Sequence, residues 1–241
     1  SPSVAVTAAV HNMVASVIKK KAQEPKRSEW LSTMSQAENF AAFALSEANA
    51  GSDVYSAKTE AIAVQGGYRI SGEKMWITNG IHCRWFLTLA RLKGASDANP
   101  FCAFLIDGSS PGIERTKIRG KMGIRGSETA VIAFHEVFVP SDHLIGETGK
   151  GIPVFLSTLA EGRISIAAQA SGIAEACIDE MIRYARERVQ FNQPIGKFQA
   201  VGNMVADSAM ELEAAKLLIW RAASDGDEGR LGKSDSSMAK L

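Results

Sequence analysis

The sequence predicts an α+β multidomain fold: a helical segment, a middle β domain of barrel or sandwich type, and a truncated C-terminal helical bundle. Three observations predict it. Apolar residues recur at helical spacing through Ser1–Lys21, give way to short β-type runs between Phe40 and Val139, and return to helical spacing after Pro140. The resulting domain limits are 1–37, 38–146 and 147–241.

Ser1–Lys21 reads as a helix with Ala, Val and Met on one face. The run Lys19-Lys20-Lys21 closes it with charges that suit the C-terminal end of the helix dipole. Pro25 breaks it, and Ser28–Met34 reads as a second short helix. His11 reads as a polar histidine on the helix surface. The strand candidates are Ala41–Ser46, Ala61–Val64, Tyr68–Ser71, Glu73–Thr78, Trp85–Leu89, Phe101–Asp107, Ile113–Lys117 and Thr129–Val139. Gly66-Gly67 is a hairpin signal, Gly94–Pro100 a polar loop and Pro111-Gly112 a turn. Short strands at this spacing point to a barrel or sandwich and away from a βαβ array.

Beyond Pro140, Ile152, Phe155, Leu159, Ile166, Ala170, Ile173, Cys177 and Met181 fall on one helical stripe. The helix they define runs from Gly151 to near Arg188, about 55 Å at the standard rise. Pro194 and Gly196 interrupt it. A second long helix carries Val201, Val205, Leu212, Ala215, Ile219 and Ala222 on its apolar face, and the acidic Asp225–Gly232 ends it. Ser234–Leu241 reads as the first turns of a further helix. Two long helices cannot bury their own stripes, so more helices are expected from this chain or another.

Composition narrows the function classes. The chain of 241 residues is 46% hydrophobic and 22% charged, ordinary for a globular protein. A formal net charge of +1 gives no electrostatic case for nucleic acid or an anionic membrane. Cys83, Cys102 and Cys177 form no paired or metal-ligand spacing with the four histidines, and read as buried thiols in a reducing compartment. No apolar run approaches the ~20 residues of a membrane span, and the first residues carry no secretory signal pattern.

Several motifs fail on inspection. No G-x-G-x-x-G follows a strand. The glycines of Gly146–Gly151 are too close for a P-loop, and Gly151 stands where Ser or Thr would bind magnesium. Arg119–Gly126 is basic, and reads as a phosphate contact or a solvated loop. His82, His135 and His143 lack partner spacing for zinc or a triad, and structural roles are expected. Arg163 falls where the apolar stripe continues, between Leu159 and Ile166. It meets a carboxylate, lines a ligand cavity, or extends outward, because a buried unpaired charge is costly.

Two stretches combine usefully. FALSEANAGSD (Phe43–Asp53) passes from a short apolar run into small residues, where Gly51 and Ser52 leave N–H groups and a hydroxyl able to face an anion. KMWITNG (Lys74–Gly80) sets Trp76 beside Thr78 ahead of an Asn-Gly turn. A site for a flat, polar-edged ring near a phosphate needs such parts, although an ordinary turn with a core tryptophan accounts for either stretch alone.

These two stretches, with FHEVFVP (Phe134–Pro140), GRISIAAQASGIA (Gly162–Ala174) and RVQFNQPIGKFQ (Arg188–Gln199) in this order, resemble the acyl-CoA dehydrogenases over effectively the whole chain. GRISIAAQ and LEAAKLLIWRAA (Leu212–Ala223) are most similar to short-chain and short-branched-chain members. The resemblance implies an N-terminal helical domain, a middle β domain and a C-terminal helical bundle. It implies FAD as cofactor, oxidation of an acyl-CoA to the trans-2-enoyl-CoA, and an electron-transfer flavoprotein as acceptor. It further implies a homotetramer in bacterial cytoplasm or mitochondrial matrix.

Carried onto this sequence, the resemblance implies flavin contacts from Phe43, Leu45 and Ser46, and a pyrophosphate and CoA contact from Ser52. Trp76, Ile77 and Thr78 match the segment packing on the isoalloxazine, with the Thr78 hydroxyl near N5. Ala160, Glu161, Gly162 and Arg163 match a substrate-contacting segment, and Arg188, Phe191 and Gln199 match groups that reach a neighbouring subunit's FAD. Three departures stand out. Ala48-Asn49 replaces the usual Pro-Gly, and Asn192 the usual Gly. The region that carries the catalytic glutamate in short-chain members lies outside this chain. Some relatives place the base immediately before the arginine, where this chain has Gly162. Glu161 is about 100° around the helix from there, so no catalytic residue is assigned. The expectation is an internal portion of a dehydrogenase, inactive by itself. The alternatives are a non-catalytic partner subunit and an acyl-CoA oxidase.

Overall fold

The computed structural model describes residues 1–36, 38–95 and 99–241. Residues 96–98 of the expected Gly94–Pro100 loop, and position 37 at the first domain limit, lie outside them. The chain divides into two compact units, Ser3–Leu159 with Ser1, and Ala160–Leu241 with Pro2.

The first unit begins with helices α1 (Pro2–Lys21) and α2 (Lys26–Met34), close to the expected limits. Pro2 stands at the start of α1, where its missing N–H costs no hydrogen bond. Strands follow at β1 (Ala41–Ala44), β2 (Glu60–Val64), β3 (Gly67–Thr78), β4 (Trp85–Leu92), β5 (Phe101–Asp107), β6 (Ile113–Lys117), β7 (Thr129–Pro140) and β8 (Leu144–Ile145). Tyr68–Ser71 and Glu73–Thr78, read apart in the sequence, are one strand. Gly72 joins them at φ +146, where an added Cβ would lie 2.7 Å from the Thr59 backbone.

The pairing order is β6-β7-β3-β2-β4-β5-β8, with β1 parallel to β4. Among the described residues the path does not return on itself, so a closed barrel is corrected to an open sheet. Its packing is still sandwich-like. Phe86, Cys102, Phe104 and Ile106 of β4 and β5 share a core with Ile70, Ile132, Phe134 and Val137 of β3 and β7. The Phe86 and Phe134 rings lie 5.8 Å apart, and those of Tyr68 and Phe104 4.9 Å. The opposite parity, Trp85, Leu87, Leu89, Phe101, Ala103 and Leu105, packs on Trp30, Val14 and Ile18 of the helices. Strands buried on both faces read as continuous apolar runs rather than as alternation, and β5 (FCAFLID) is one. Each fully buried large side chain contributes about 1.5–3 kcal/mol.

Helix α3 (Gly151–Glu187) starts against β5: a Cβ on Gly151 would lie 2.6 Å from the Cys102 carbonyl carbon. Its first turns, with Ile152, Val154 and Phe155, belong to the first unit's core. The second unit comprises the rest of α3, a two-residue hairpin of β9 (Val189–Gln190) and β10 (Gln193–Pro194), α4 (Gln199–Asp227) and α5 (Lys233–Lys240). Here the expected stripe on α3 is out of phase. Ile166, Ala170, Ile173, Cys177 and Met181 are exposed, while Ala167, Ser171 and Ala185 are buried. Ala167 packs with Ile219 and Ala222 of α4 and Ala239 of α5, and with Ile164 and Leu231 beside them. The helix is apolar on two sides, and spacing alone does not say which side α4 takes. Cys177 is accordingly an exposed thiol, whereas Cys83 and Cys102 are buried as expected.

Candidate functional site

After β1 the chain reverses tightly. Glu47 N–H donates to Ala50 O at 2.9 Å and Ala50 N–H to Glu47 O at 3.2 Å, with Ala48-Asn49 at the tip. The Asn49 amide donates to Ser56 O at 2.7 Å and ties the tip to a 3-10 turn at Val54–Ser56. Gly51, Ser52 and Asp53 are exposed, and a Cβ at Gly51 would meet nothing within 4 Å. The backbone there is open, as an anion-facing turn requires.

The C-terminal part of β3 supplies the facing segment. Lys74 pairs with Ile132 and Ile77 with Ala130, so three steps along β3 match two along β7. That is a one-residue bulge. Within it Met75 N–H leaves the β7 ladder and donates to Ser46 O at 2.8 Å. Trp76 takes φ +63, which is rare for a bulky side chain, and the residue is 59% exposed. It is therefore not a core tryptophan. Pairing resumes at Ile77 and Thr78, and the strand ends before Asn79 (φ +66), whose amide donates to Ala41 O and Thr7 O at 3.0 Å each.

Beneath the bulge lies a charge network that sequence reasoning missed. Lys74 is 0% exposed and Glu47 6%. Lys74 Nζ donates to Glu47 Oε1 at 2.8 Å and to Leu45 O at 3.1 Å. The carboxylate also accepts Lys58 N–H at 2.6 Å, Thr59 N–H at 3.0 Å and Thr59 Oγ1–H at 2.7 Å. Burial by itself raises the Glu47 pKa. The Lys74 charge and the donors around the carboxylate outweigh it and hold the group below its ordinary value. Burial lowers the Lys74 pKa, partly countered by Glu47. The signal was parity: Ile70 and Lys74 share one face of a strand, and Ile77 reaches the core only if an extra residue intervenes.

The structure thus joins Ser46 to the Trp76 segment. Thr78 is partly exposed, whereas the Ile77 side chain is buried in the sheet core and offers only its main chain. Leu45 is buried, and the Phe43 ring packs 4.6 Å from Phe155.

In the second unit, Ala160, Glu161, Gly162 and Arg163 are all partly exposed on α3. Arg163 makes no ion pair with a described residue, and the Ile166 it was read beside faces outward. Arg188, Phe191 and Gln199 are exposed around the β9–β10 hairpin. Phe191 (φ +51) and Asn192 (φ +59) form its two-residue turn, with Gln190 opposite Gln193. Two left-handed residues in such a turn define type I′, which accepts Asn readily. Asn192 is therefore compatible with the turn.

Each histidine has a partner within the protein. His143 Nδ1 lies 2.8 Å from Leu105 O with its ring 5.0 Å from Trp30. His82 and His135 pair with Glu128 and Glu114. His11, expected on the helix surface, is half-buried and accepts Ala41 N–H at 3.2 Å, tying α1 to β1; burial lowers its pKa. In the basic loop, Lys121 Nζ is taken up by Ile124 O, Ser127 O and the Thr129 hydroxyl.

Two helices, an open sheet with eight strands among the described residues, and a unit of long helices, in that order, make the acyl-CoA dehydrogenase fold. Residues 42–137 match the family described as "Acyl-CoA dehydrogenase, middle domain", and residues 149–241 the one described as "Acyl-CoA dehydrogenase, C-terminal domain". The chain belongs to the acyl-CoA dehydrogenase family. It is 38% identical over 239 residues to the mitochondrial short/branched chain specific acyl-CoA dehydrogenase of Rattus norvegicus, covering 99% of this chain and 55% of that protein. Among solved structures, butyryl-CoA dehydrogenase from Megasphaera elsdenii is similar at a TM-score of 0.95 and 34% identity, over 99% of this chain and 63% of that one. A structure described as PigA with FAD and proline is similar at a TM-score of 0.92 and 26% identity, over 99% and 63%. The chain thus spans less than two thirds of the length of these proteins.

Proposed function

We propose that this chain carries one flavin wall of an FAD-dependent dehydrogenase that converts a short-chain acyl-CoA to its trans-2-enoyl-CoA and passes electrons to an electron-transfer flavoprotein. The observation that carries the reading is the exposed Trp76 indole, turned outward at positive φ on a bulge stapled to Ser46. An outward indole beside the Thr78 hydroxyl suits a flat ring with a polar edge, and the uncovered Gly51-Ser52 backbone suits a phosphate. FAD, when bound, supplies hydride acceptance.

In this reading the chain's own residues bind and orient. Phe43, Leu45, Ser46 and the Trp76–Thr78 segment line the ring, with Leu45 and Ile77 acting through their main chains. Ser52 serves the pyrophosphate and CoA side. Ala160–Arg163 meet the substrate, and Arg188, Phe191 and Gln199 reach the FAD of a neighbouring subunit in a homotetramer. The domains run 1–37, 38–146 and 147–241, in a bacterial cytoplasm or mitochondrial matrix. Abstraction of the α-proton needs a base within hydrogen-bond reach of it. Gly162 occupies the position that some relatives give to a base, and no residue here is assigned that step.

The test is a titration of the purified 241-residue chain with FAD, followed by butyryl-CoA and a dye acceptor. Flavin binding with no enoyl-CoA formation is expected. Turnover by the chain alone overturns the assignment of the base elsewhere, and failure to bind flavin overturns the wall. Peroxide release on substrate addition would redirect the reading to an oxidase.

A further inference from the structure

Lys74 presents a problem. A fully buried ammonium is expensive to desolvate, and an apolar side chain of the same volume would usually serve stability as well. Its placement suggests what it does instead. Lys74 Nζ reaches Leu45 O and Glu47 Oε1, while the next residue's N–H reaches Ser46 O. Three successive residues of one turn are thereby fastened to two successive residues of β3, and Glu47 fastens both to Lys58 and Thr59.

Those bonds act where β3 carries its extra residue. A strand paired with β7 over both of its halves can shed a bulge by sliding one residue, and such a slip turns every side chain in the slipped stretch to the opposite face. Asn79 pins the far end of the stretch through Ala41 O and Thr7 O. Lys74 pins the near end. With both ends fixed, the surplus residue has nowhere to go, and Trp76 is left at positive φ with its indole outward.

We infer that the buried Lys74–Glu47 pair is a positioning device, which holds the bulge that turns Trp76 toward the flavin ring. The inference rests on the flavin reading above for its target, but not for its geometry. Lys74 touches neither flavin nor substrate, and it acts through Trp76.

The experiment labels the full chain with 5-fluorotryptophan and reads its four tryptophans by 19F NMR, with Trp76 assigned from W76F. Buried Trp30 and Trp85 report the fold of the first unit, and exposed Trp220 serves as a remote reference. K74M and the double variant K74M/E47Q are compared with the parent, and each is titrated with FAD. Expected is a displaced or broadened Trp76 resonance in both variants, with Trp30, Trp85 and Trp220 in place and FAD affinity at least tenfold weaker. A Trp76 resonance unmoved in a folded variant overturns the inference. So does a moved resonance with unchanged FAD affinity, which would leave the pair without bearing on the ring. The double variant carries no uncompensated buried charge and decides the matter if K74M alone does not fold. If both lose the Trp30 and Trp85 signals, the pair has a global structural role and the inference is overturned. If the parent chain binds no FAD, the flavin reading fails, while the Trp76 resonance still decides whether the pair sets the bulge.

Discussion

Trp76 and Phe191 solve one problem in two ways. Each is a bulky aromatic at positive φ with its ring turned outward, 59% exposed for Trp76 and 87% for Phe191. Phe191 reaches that state locally. It shares a two-residue turn with Asn192, closed by Val189–Gln190 against Gln193–Pro194, and the turn type itself demands left-handed backbone. Trp76 sits inside a 12-residue strand whose neighbours favour extended backbone. Its conformation is imposed from a distance, by a lysine and a glutamate 27 positions apart. Left-handed backbone at such a residue costs about 1–3 kcal/mol and persists only where surrounding structure over-determines it. A tight turn meets that condition with four residues, whereas a strand needs tertiary bonds.

The largest effect should come from cutting the remote support. K74M leaves Glu47 buried without its counter-charge, and loss of one partner of a buried pair costs about 3–5 kcal/mol. Urea denaturation of the first unit should show it, and K74M/E47Q should recover most of the loss. A double variant no more stable than K74M would mean that the pair is not coupled.

Removing the strained side chains should separate the two regions next. W76G relieves the backbone strain, so stability should stay within about 1 kcal/mol of the parent or rise, while FAD affinity falls in the titration. F191G should likewise leave the urea midpoint nearly unchanged, because the turn geometry needs no particular side chain. If Phe191 reaches a neighbouring subunit as proposed, the effect of F191G should appear in subunit association, read by sedimentation.

Acid should act on the bulge and spare the hairpin. Glu47 is held below the ordinary glutamate value of 4.5, so its contribution is fully present above that pH. The contribution is lost as pH falls through the depressed value. Urea midpoints measured down the acid limb should drop for the parent and drop less steeply for E47Q; parallel slopes would remove Glu47 from the account. The smallest effect is expected from the exposed pairs of Arg183 with Glu180 and Glu187 on α3, where solvent screens the charges. R183A should leave the melting temperature unchanged within error.

The same contrast separates what could be read in the chain from what could not. The limits of α3, α4, β5 and β6 follow from local periodicity, breakers and turn residues, and the structure reproduces them within a few residues. The motifs that indicated the family are also local, because turns and bulges keep their residues adjacent in sequence. β8, β9 and β10 are two residues long and carry no period to detect.

Other features depended on partners that the sequence does not name. Spacing on α3 points to Ile166, Ile173 and Met181 as the buried stripe, but α4 and α5 take the side carrying Ala167. A helix with two apolar faces gives both the same periodicity. Whether the sheet closes depends on its end strands, and β6 and β8 stay apart in the pairing order. The sequence alone determined the order of elements, and it singled out the residues proposed for the flavin wall. The tertiary structure decided which way Trp76 faces, because the segment that carries it is held by hydrogen bonds between β3 and the turn after β1, segments that only folding brings together.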